Sequence, residues 1–370
     1  MERYYGLIMK KYLLFLLLLP AFAVPQFVWA GQNGNGFGIV AEVPFTAAKN
    51  QGNTGTCWSF ATTSFFESEL LRMGKGEFDL SEMYFVRQTY LNKVRNFLYY
   101  HGKNNFSQGG QAHDVLAVVA SHGIVPDTVF PGVKHNGRFS HGELAKTLQT
   151  VAEKRNGERK DFSTVNLAPF EPLLDRELGP QPAAFLYEGK TFTAGSFRDF
   201  LGIDPDQYVE LTSYTHHPFY KPFVLEIPDN WSHNLYYNLP VDELVAVMVH
   251  ALQNGYSVCW DGDTSEKDFS HRKGVADLPE EQLGKVTQQL RQKTFENRET
   301  TDDHLMHVVG ISEDRNGRRH FYTKNSWGAK SNSLDGMLHL SEDYVRLKTV
   351  AILVHRDALP AGTAQKLNLR

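Results

Sequence analysis

The chain has 370 residues, enough for one large domain or two ordinary ones, and its 41% hydrophobic and 22% charged content is that of a globular protein. A formal net charge of −4 gives no basic excess, which argues against nucleic acid as a main partner. Two cysteines, Cys57 and Cys259, are too few for a disulfide scaffold.

In chain order, residues 1–30 read as a secretory signal peptide. Lys10 and Lys11 precede the apolar run from Tyr12 to Leu19, and Val28-Trp29-Ala30 ends in a small residue before Gly31. The run is short for a membrane span, and Pro20 and Pro25 interrupt the residues after it. An exported protein, periplasmic or secreted and with no stable membrane anchor after cleavage, is the expectation. A Gly/Asn-rich linker, 31–36, comes next.

From Cys57 onward, Ala61, Ser64, Phe65 and Ser68 recur at helical spacing, with Gly74 as C-cap. Ser81 opens a second helix running to about His101. Val115, Leu116 and Val119 form the stripe of a third, which Gly123 closes. Between 124 and 240, Ser140 and Glu143 have capping-box spacing ahead of Leu144, Leu148 and Val151. Short helices are expected around Phe170–Leu178 and Ser196–Leu201, and strands at Tyr208–Leu211 and Phe223–Ile227. An amphipathic helix then runs from Val241 to near Gly255, followed by a strand around Cys259 and a helix between Pro279 and Asn297. Strands 305–311 and 320–325 flank Asn316-Gly317, a hairpin signal. Strands 336–340 and 350–354 complete the set. Helices first and antiparallel strands last predict an α+β fold of two lobes.

The chemistry concentrates at 51–60. Cys57 stands where a Gly-rich turn becomes a helix, and the positive end of the helix favours a thiolate. Gln51, six residues earlier, offers an uncharged donor for an oxyanion. A buried structural cysteine is the competing reading of Cys57; Cys259, in an apolar strand, fits that role, although a Cys57–Cys259 bridge is formally allowed. A cysteine nucleophile needs a base. Of 15 histidines, His304 precedes the first hairpin strand while the partner strand ends in Asn325-Ser326-Trp327-Gly328. An asparagine facing that histidine can fix its tautomer, and Trp327 can cover the bond.

Gln51…Cys57-Trp58, Asp303-His304 and Asn325-Ser326-Trp327-Gly328 resemble, in order, the signatures of papain-like cysteine peptidases. The resemblance implies Gln51 as oxyanion donor, Cys57 as nucleophile, His304 as general acid/base and Asn325 as its orienter. Gly109 and Gly110 look like the family's substrate-binding glycine pair, and Trp327 joins them as a substrate-side residue. The Cys57-to-His304 gap exceeds the roughly 130–150 residues of ordinary members by about a hundred. With Leu80-Ser81, Gly109-Gly110-Gln111, Gly123-Ile124-Val125-Pro126 and Leu239-Pro240-Val241-Asp242, this points to the bleomycin hydrolase/aminopeptidase C branch.

That resemblance implies a papain-like fold with a helical lobe (about 45–125), an insertion (about 126–240), an antiparallel β-barrel-like lobe (about 241–360) and a C-terminal arm (361–370). It also implies peptide hydrolysis from a free N-terminus, with peptides as partners, no cofactor and a homo-oligomer. In the branch the arm lies in the cleft, and its terminal carboxylate anchors the substrate amine. Here it looks short and ends in Arg370, which keeps an open-cleft endopeptidase as the alternative. A non-catalytic peptide-binding protein and an acyl transferase on the same fold are further readings. His216-His217 finds no further ligand at metal spacing in the sequence, so no metal site is expected. Asp261 and Asp263 read as a polar turn, and Asn105-Phe106-Ser107 and Asn230-Trp231-Ser232 fit the glycosylation pattern weakly.

Overall fold

The computed structural model describes residues 36–158 and 166–369; the leader expected over 1–30, most of the adjoining linker and Arg370 lie outside them. β1 (Gly38–Glu42) leads through an extended segment to α1 (Cys57–Arg72), α2 (Glu82–Tyr99) and α3 (Ala112–His122). Local chemistry sets these boundaries. Gly74, at φ +70°, closes α1 as its N–H reaches Leu71 O. The Ser81 hydroxyl accepts from Tyr84 N at 3.0 Å to cap α2. Gly123 ends α3 at φ +86°, where a Cβ would lie 2.2 Å from the Ala194 backbone.

α4 (Gly142–Gly157), α5 (Glu171–Leu178), the hairpin β2 (Phe185–Tyr187) and β3 (Lys190–Phe192), and α6 (Ala194–Leu201) come next. The capping box expected at Ser140 is not the start of α4, whose N-cap is His141 with no side-chain cap. Ser140 is instead held in a bridge to Asn53, in the loop before Cys57. Leu144, Leu148, Leu174 and Phe197 share one core with Phe65, Leu70, Met83 and Tyr84 of α1 and α2. Arg87 of α2, 1% exposed, ties α5 on through Asp175 at 2.6 Å and Glu171.

β4 (Tyr208–Thr212), β5 (Pro222–Val224) and β6 (Leu235–Asn238) belong to the sheet instead. The stretch read as one insertion therefore divides, its first part thickening the helical lobe and its second widening the sheet. The rest is α7 (Val241–Gln253), β7 (Val258–Gly262), β8 (Phe269–Ser270), β9 (Val275–Ala276), α8 (Gln288–Glu296), β10 (His304–Glu313), β11 (Arg319–Lys324), β12 (Met337–Ser341), α9 (Glu342–Lys348), β13 (Thr349–His355) and α10 (Ala361–Leu367).

The sheet order is β5-β6-β4-β13-β7-β10-β11-β12-β9-β8. β10 pairs with β7 through its first half and with β1 through its second. Most pairs are antiparallel, but β4/β6 and β9/β12 are parallel. The barrel-like expectation needs correction: no pairing joins the two ends of the sheet, so among the described residues it stays open. The two-lobed α+β papain-like fold itself is what the structure has.

Alternation along the strands separates two cores. Cys259, Leu305 and Leu353 face α1, whereas Trp260, Met306 and Ile352 join the core of α7, α9 and α10. Covered by both lobes, α1 is buried from Cys57 to Leu70 all round, so its polar residues must find internal partners. Ser64 pairs with His307 of β10 at 2.7 Å, and Glu67 accepts from Thr46 at 2.5 Å and Lys49 at 3.0 Å.

Candidate active site

The interlobe position of α1 sets Cys57, its first residue, against β10. The backbone of Leu305, next to His304, hydrogen-bonds the Cys57 thiol. Across the sheet, His304 Nε2 lies 2.7 Å from Asn325 Oδ1. That oxygen also accepts from Ser326 N at 2.7 Å, which fixes the amide with its carbonyl toward the imidazole. His304 therefore carries its proton on Nε2, leaving the Nδ1 lone pair free. The Trp327 ring, 37% exposed, stands 5.3 Å from the His304 ring and covers this bond.

Gln51 is 7% exposed and wired to the same corner. Its backbone N donates to Ser326 O at 2.8 Å, its Oε1 accepts from Ser326 Oγ at 2.5 Å, and its Nε2 donates to Thr54 O at 2.8 Å. One Nε2 hydrogen remains for a ligand. Gln51, His304, Asn325 and Trp327 thus come together at one corner, and Cys57 begins the helix packed on the strand that carries His304. Two further residues of this corner have roles that the sequence alone does not assign, and of them only Ser326 lies within a motif singled out there. His271 bonds Asn325 Nδ2 at 3.2 Å and anchors to Ser331 at 2.7 Å, and Ser326 positions Gln51.

Electrostatics at the pair differ from the sequence expectation. Burial pushes the Cys57 thiol from the usual 9.0 up to about 12, helped by Asp261, Asp302 and Asp229 and opposed by the Leu305 hydrogen bond. A helix terminus contributes at most about 2 kcal/mol, or about one and a half powers of ten, which does not reverse that rise. Burial also lowers His304 to about 4, more than the Asn325 bond restores. Burial thus favours the neutral form of each group, the thiol of Cys57 and the uncharged imidazole of His304. Cys259 is unbridged and buried, 3.6 Å from Thr62 of α1, so Cys57 is free as well.

Gly109 and Gly110 run alongside the start of α1. Trp58 Nε1 donates to Gln108 O at 3.1 Å, and Gly55 N to the Gln108 side chain at 3.1 Å. A Cβ on Gly110 would lie 2.6 Å from Asp114 Oδ2, and one on Gly109 only 1.7 Å from Asp229 Oδ2. Asp229 belongs to the insertion, whose loop there closes over this side of the cleft. Both glycosylation-like asparagines are spent in the closure. Asn105 Nδ2 donates to Pro228 O at 2.7 Å, while Asn230 is 3% exposed and bonds Leu225 O and Asn234 O.

A cavity of about 640 Å³ lies beside this corner, its lining including Pro228, Asp229, Thr301 and Asp302. Asp302 Oδ2 accepts from Gln111 Nε2 at 3.0 Å. Burial and the neighbouring Asp229 charge push its carboxyl up to about 7. Asp261, 2% exposed on β7, meets Asp302 and is raised well above the carboxylate range, chiefly by burial. Asp261 is thus a core residue and no turn, while Asp263 pairs with Lys348 at 3.2 Å.

Folding brings Glu226 to His216 and His217, at 3.0 and 2.6 Å, a carboxylate that sequence spacing does not reveal. Thr215 N donates to Gln292 Oε1 at 2.6 Å, so Gln292 Nε2, 2.9 Å from His216 Nδ1, is the donor there. His216 therefore holds its proton on Nε2, toward Glu226, where a metal would have to bind.

The described part of the C-terminal arm lies away from the cleft. α10 buries Ala364 and Leu367 in the α7 core, on the opposite face of the sheet from α1, and Lys366 reaches Glu243 at 2.7 Å.

Two family models match the chain, Papain family cysteine protease over residues 40–169 and Peptidase C1-like family over residues 187–369. A cysteine peptidase is what fold and family define. Among similar proteins, aminopeptidase G of Lactobacillus delbrueckii subsp. lactis is 24% identical, with 88% of this chain and 85% of that one aligned. Aminopeptidase C of Listeria monocytogenes is 23% identical over 88% and 84%. The crystal structure of PepW from Lactobacillus rhamnosis HN001 superposes with a TM-score of 0.72 at 18% identity, covering 90% of this chain and 84% of that one. The chain belongs to the papain-like cysteine peptidases, in their aminopeptidase C branch.

Proposed function

We propose that the protein is an aminopeptidase that releases residues from short peptides with free N-termini, using Cys57, His304 and Asn325. The observation that carries the chemistry is the covered His304–Asn325 bond beside a strand whose Leu305 backbone holds the Cys57 thiol. Cys57 Sγ attacks the scissile carbonyl as its proton passes to His304 Nδ1, so both charges form only with substrate in place. The free Gln51 N–H and the Cys57 backbone N–H hold the oxyanion. On collapse the C–N bond breaks, and His304 gives its proton to the departing amine. Water then attacks the thioester, its proton goes to His304, and Cys57 regains a thiol.

The closure of the cleft at Gly109 by the loop of Asp229 supports exopeptidase action, since a long chain would meet that carboxylate. The arm packed behind the sheet favours the endopeptidase alternative, because nothing described of it enters the cleft. Rates on aminoacyl and N-acetyl-aminoacyl arylamides separate the two: a strong preference for the free amine is expected, and equal rates would reject it. Cys57→Ala should abolish hydrolysis of both while leaving thermal unfolding unchanged. Retained turnover would remove Cys57 from its role. We further propose export, which the leader-like residues 1–30 support.

A further inference from the structure

An aminopeptidase must hold a free α-ammonium, and the inference drawn from that need rests on the aminopeptidase reading. The described residues of the arm that the branch resemblance implies for this task pack against the α7 core, whereas unpaired carboxylates gather in the cleft itself.

Asp229 sits where that charge is needed. Its Oδ1 is held by neutral donors, Asn105 Nδ2 at 3.0 Å and Ser107 Oγ at 2.9 Å. Its Oδ2 points over Gly109, close enough that any Cβ there would collide. Asp302 shares the cavity with it and precedes His304 by two residues; its Oδ2 takes one neutral amide bond from Gln111. Behind them Asp261, 2% exposed, has no donor on either carboxyl oxygen. Burial and the neighbouring Asp302 carboxyl hold its own carboxyl well above the usual carboxylate range, an arrangement that a proton or a cation between the two would relieve. Among the described residues none of the three is ion-paired. Lys93, the nearby buried cation, spends its Nζ on the carbonyls of Ser107 and Gly109. Carboxylates gathered without a partner, at one end of a cleft beside a nucleophile, are built for a cation that arrives with the substrate.

We propose that Asp229 and Asp302 bind the α-ammonium of the substrate, with Asp261 as their buried support. An ammonium offers three donors, which suits carboxylates converging from the loop between β5 and β6 and from the segment before β10. All three lie near enough to the Cys57 thiol to act on it electrostatically, so the bound amine stands close to the scissile bond.

The test uses the full chain and the best substrate from a panel of aminoacyl arylamides, together with its N-acetyl and des-amino analogues. Asp229→Asn and Asp302→Asn are compared with wild type by the ratio of kcat/KM for the free amine to that for each analogue. Thermal unfolding and labelling of Cys57 by a peptidyl epoxide certify each variant as folded. The expected result is a fall in the ratio of about tenfold to a hundredfold, the worth of a charge-assisted hydrogen bond. If wild type prefers the free amine and both folded variants keep that preference, the anchor is overturned while the aminopeptidase reading stands. If wild type shows no preference, both fall together.

Discussion

Truncating Asn325 to alanine should cost about one to two powers of ten in kcat/KM. Asn325 is 1% exposed, and its Oδ1 accepts from both His304 Nε2 and Ser326 N, each at 2.7 Å. Alanine leaves two N–H groups without an acceptor beneath Trp327. A buried donor left unsatisfied costs about 1–3 kcal/mol, more when charged. The His304 N–H becomes charged as it takes the thiol proton, so its share of the loss falls on the transition state. At 1.36 kcal/mol per power of ten, that share is roughly five- to 150-fold. The Ser326 share and the lost contact with His271 fall on the fold and should lower the unfolding midpoint as well. Asn325→Asp distinguishes orientation from charge, because a carboxylate against the imidazole raises its pKa by about one to three units. From a starting point depressed by burial to about 4, the acid limb of the pH–rate profile, below which protonated His304 can no longer take the thiol proton, should move upward in the aspartate variant alone. Steady-state kinetics across pH, with epoxide labelling to count competent sites, makes the measurement. An alanine variant that labels normally and keeps kcat/KM within about twofold would refute the reasoning, since no buried charged donor is lost that cheaply.

Deletion of residues 361–370 should lower stability measurably, because Ala364 and Leu367 are buried and Lys366 pairs with Glu243, yet leave the free-amine preference as it was. Loss of that preference on deletion would restore the anchoring role to the arm; urea unfolding and the substrate ratio report the two effects. The preference should also depend on pH. As pH falls through about 7, Asp302 takes a proton and its attraction for an ammonium is lost, with Asp229, Asp261 and Asp303 the charged groups around it. Above about 8 the substrate amine itself is neutral. The ratio of free-amine to blocked kcat/KM should therefore peak between these values, and a ratio flat from about pH 5 to 7 would exclude Asp302 as the titrating group.

The parts of the site legible in sequence were those where one local feature fixes a side chain. Cys57 follows from a Gly-rich turn meeting a helix, and His304 and Asn325 from the ends of two strands joined at Asn316-Gly317. Ordinary periodicity likewise foretold α2, α3 and α7. What stayed hidden depends on contacts between distant segments. Ser140 reads as a helix cap until Asn53 bridges it, and Asp261 reads as a turn until β10 and β13 enclose it. Asp229 lies in a stretch with no periodic pattern, and only its seat on Gly109 gives it meaning. The dryness of the corner is equally nonlocal: the thiolate suggested by the helix start is opposed by burial that both lobes impose together.

β10 pairs with β1 at one end of the chain and β7 far along it, and it carries His304 247 residues after Cys57. During synthesis the proposed nucleophile is therefore made early and its proposed base late. A nascent chain that has not yet reached β11 carries a solvated cysteine with no partner and no oxyanion corner, since Ser326 is still to come. Such long-range closure also slows folding, because the loop entropy must be met before the sheet can repay it. Hydrolytic competence is thus a property of the finished molecule alone. A fragment that ends before β10 lacks His304, Asn325 and the Ser326 contact of Gln51 together.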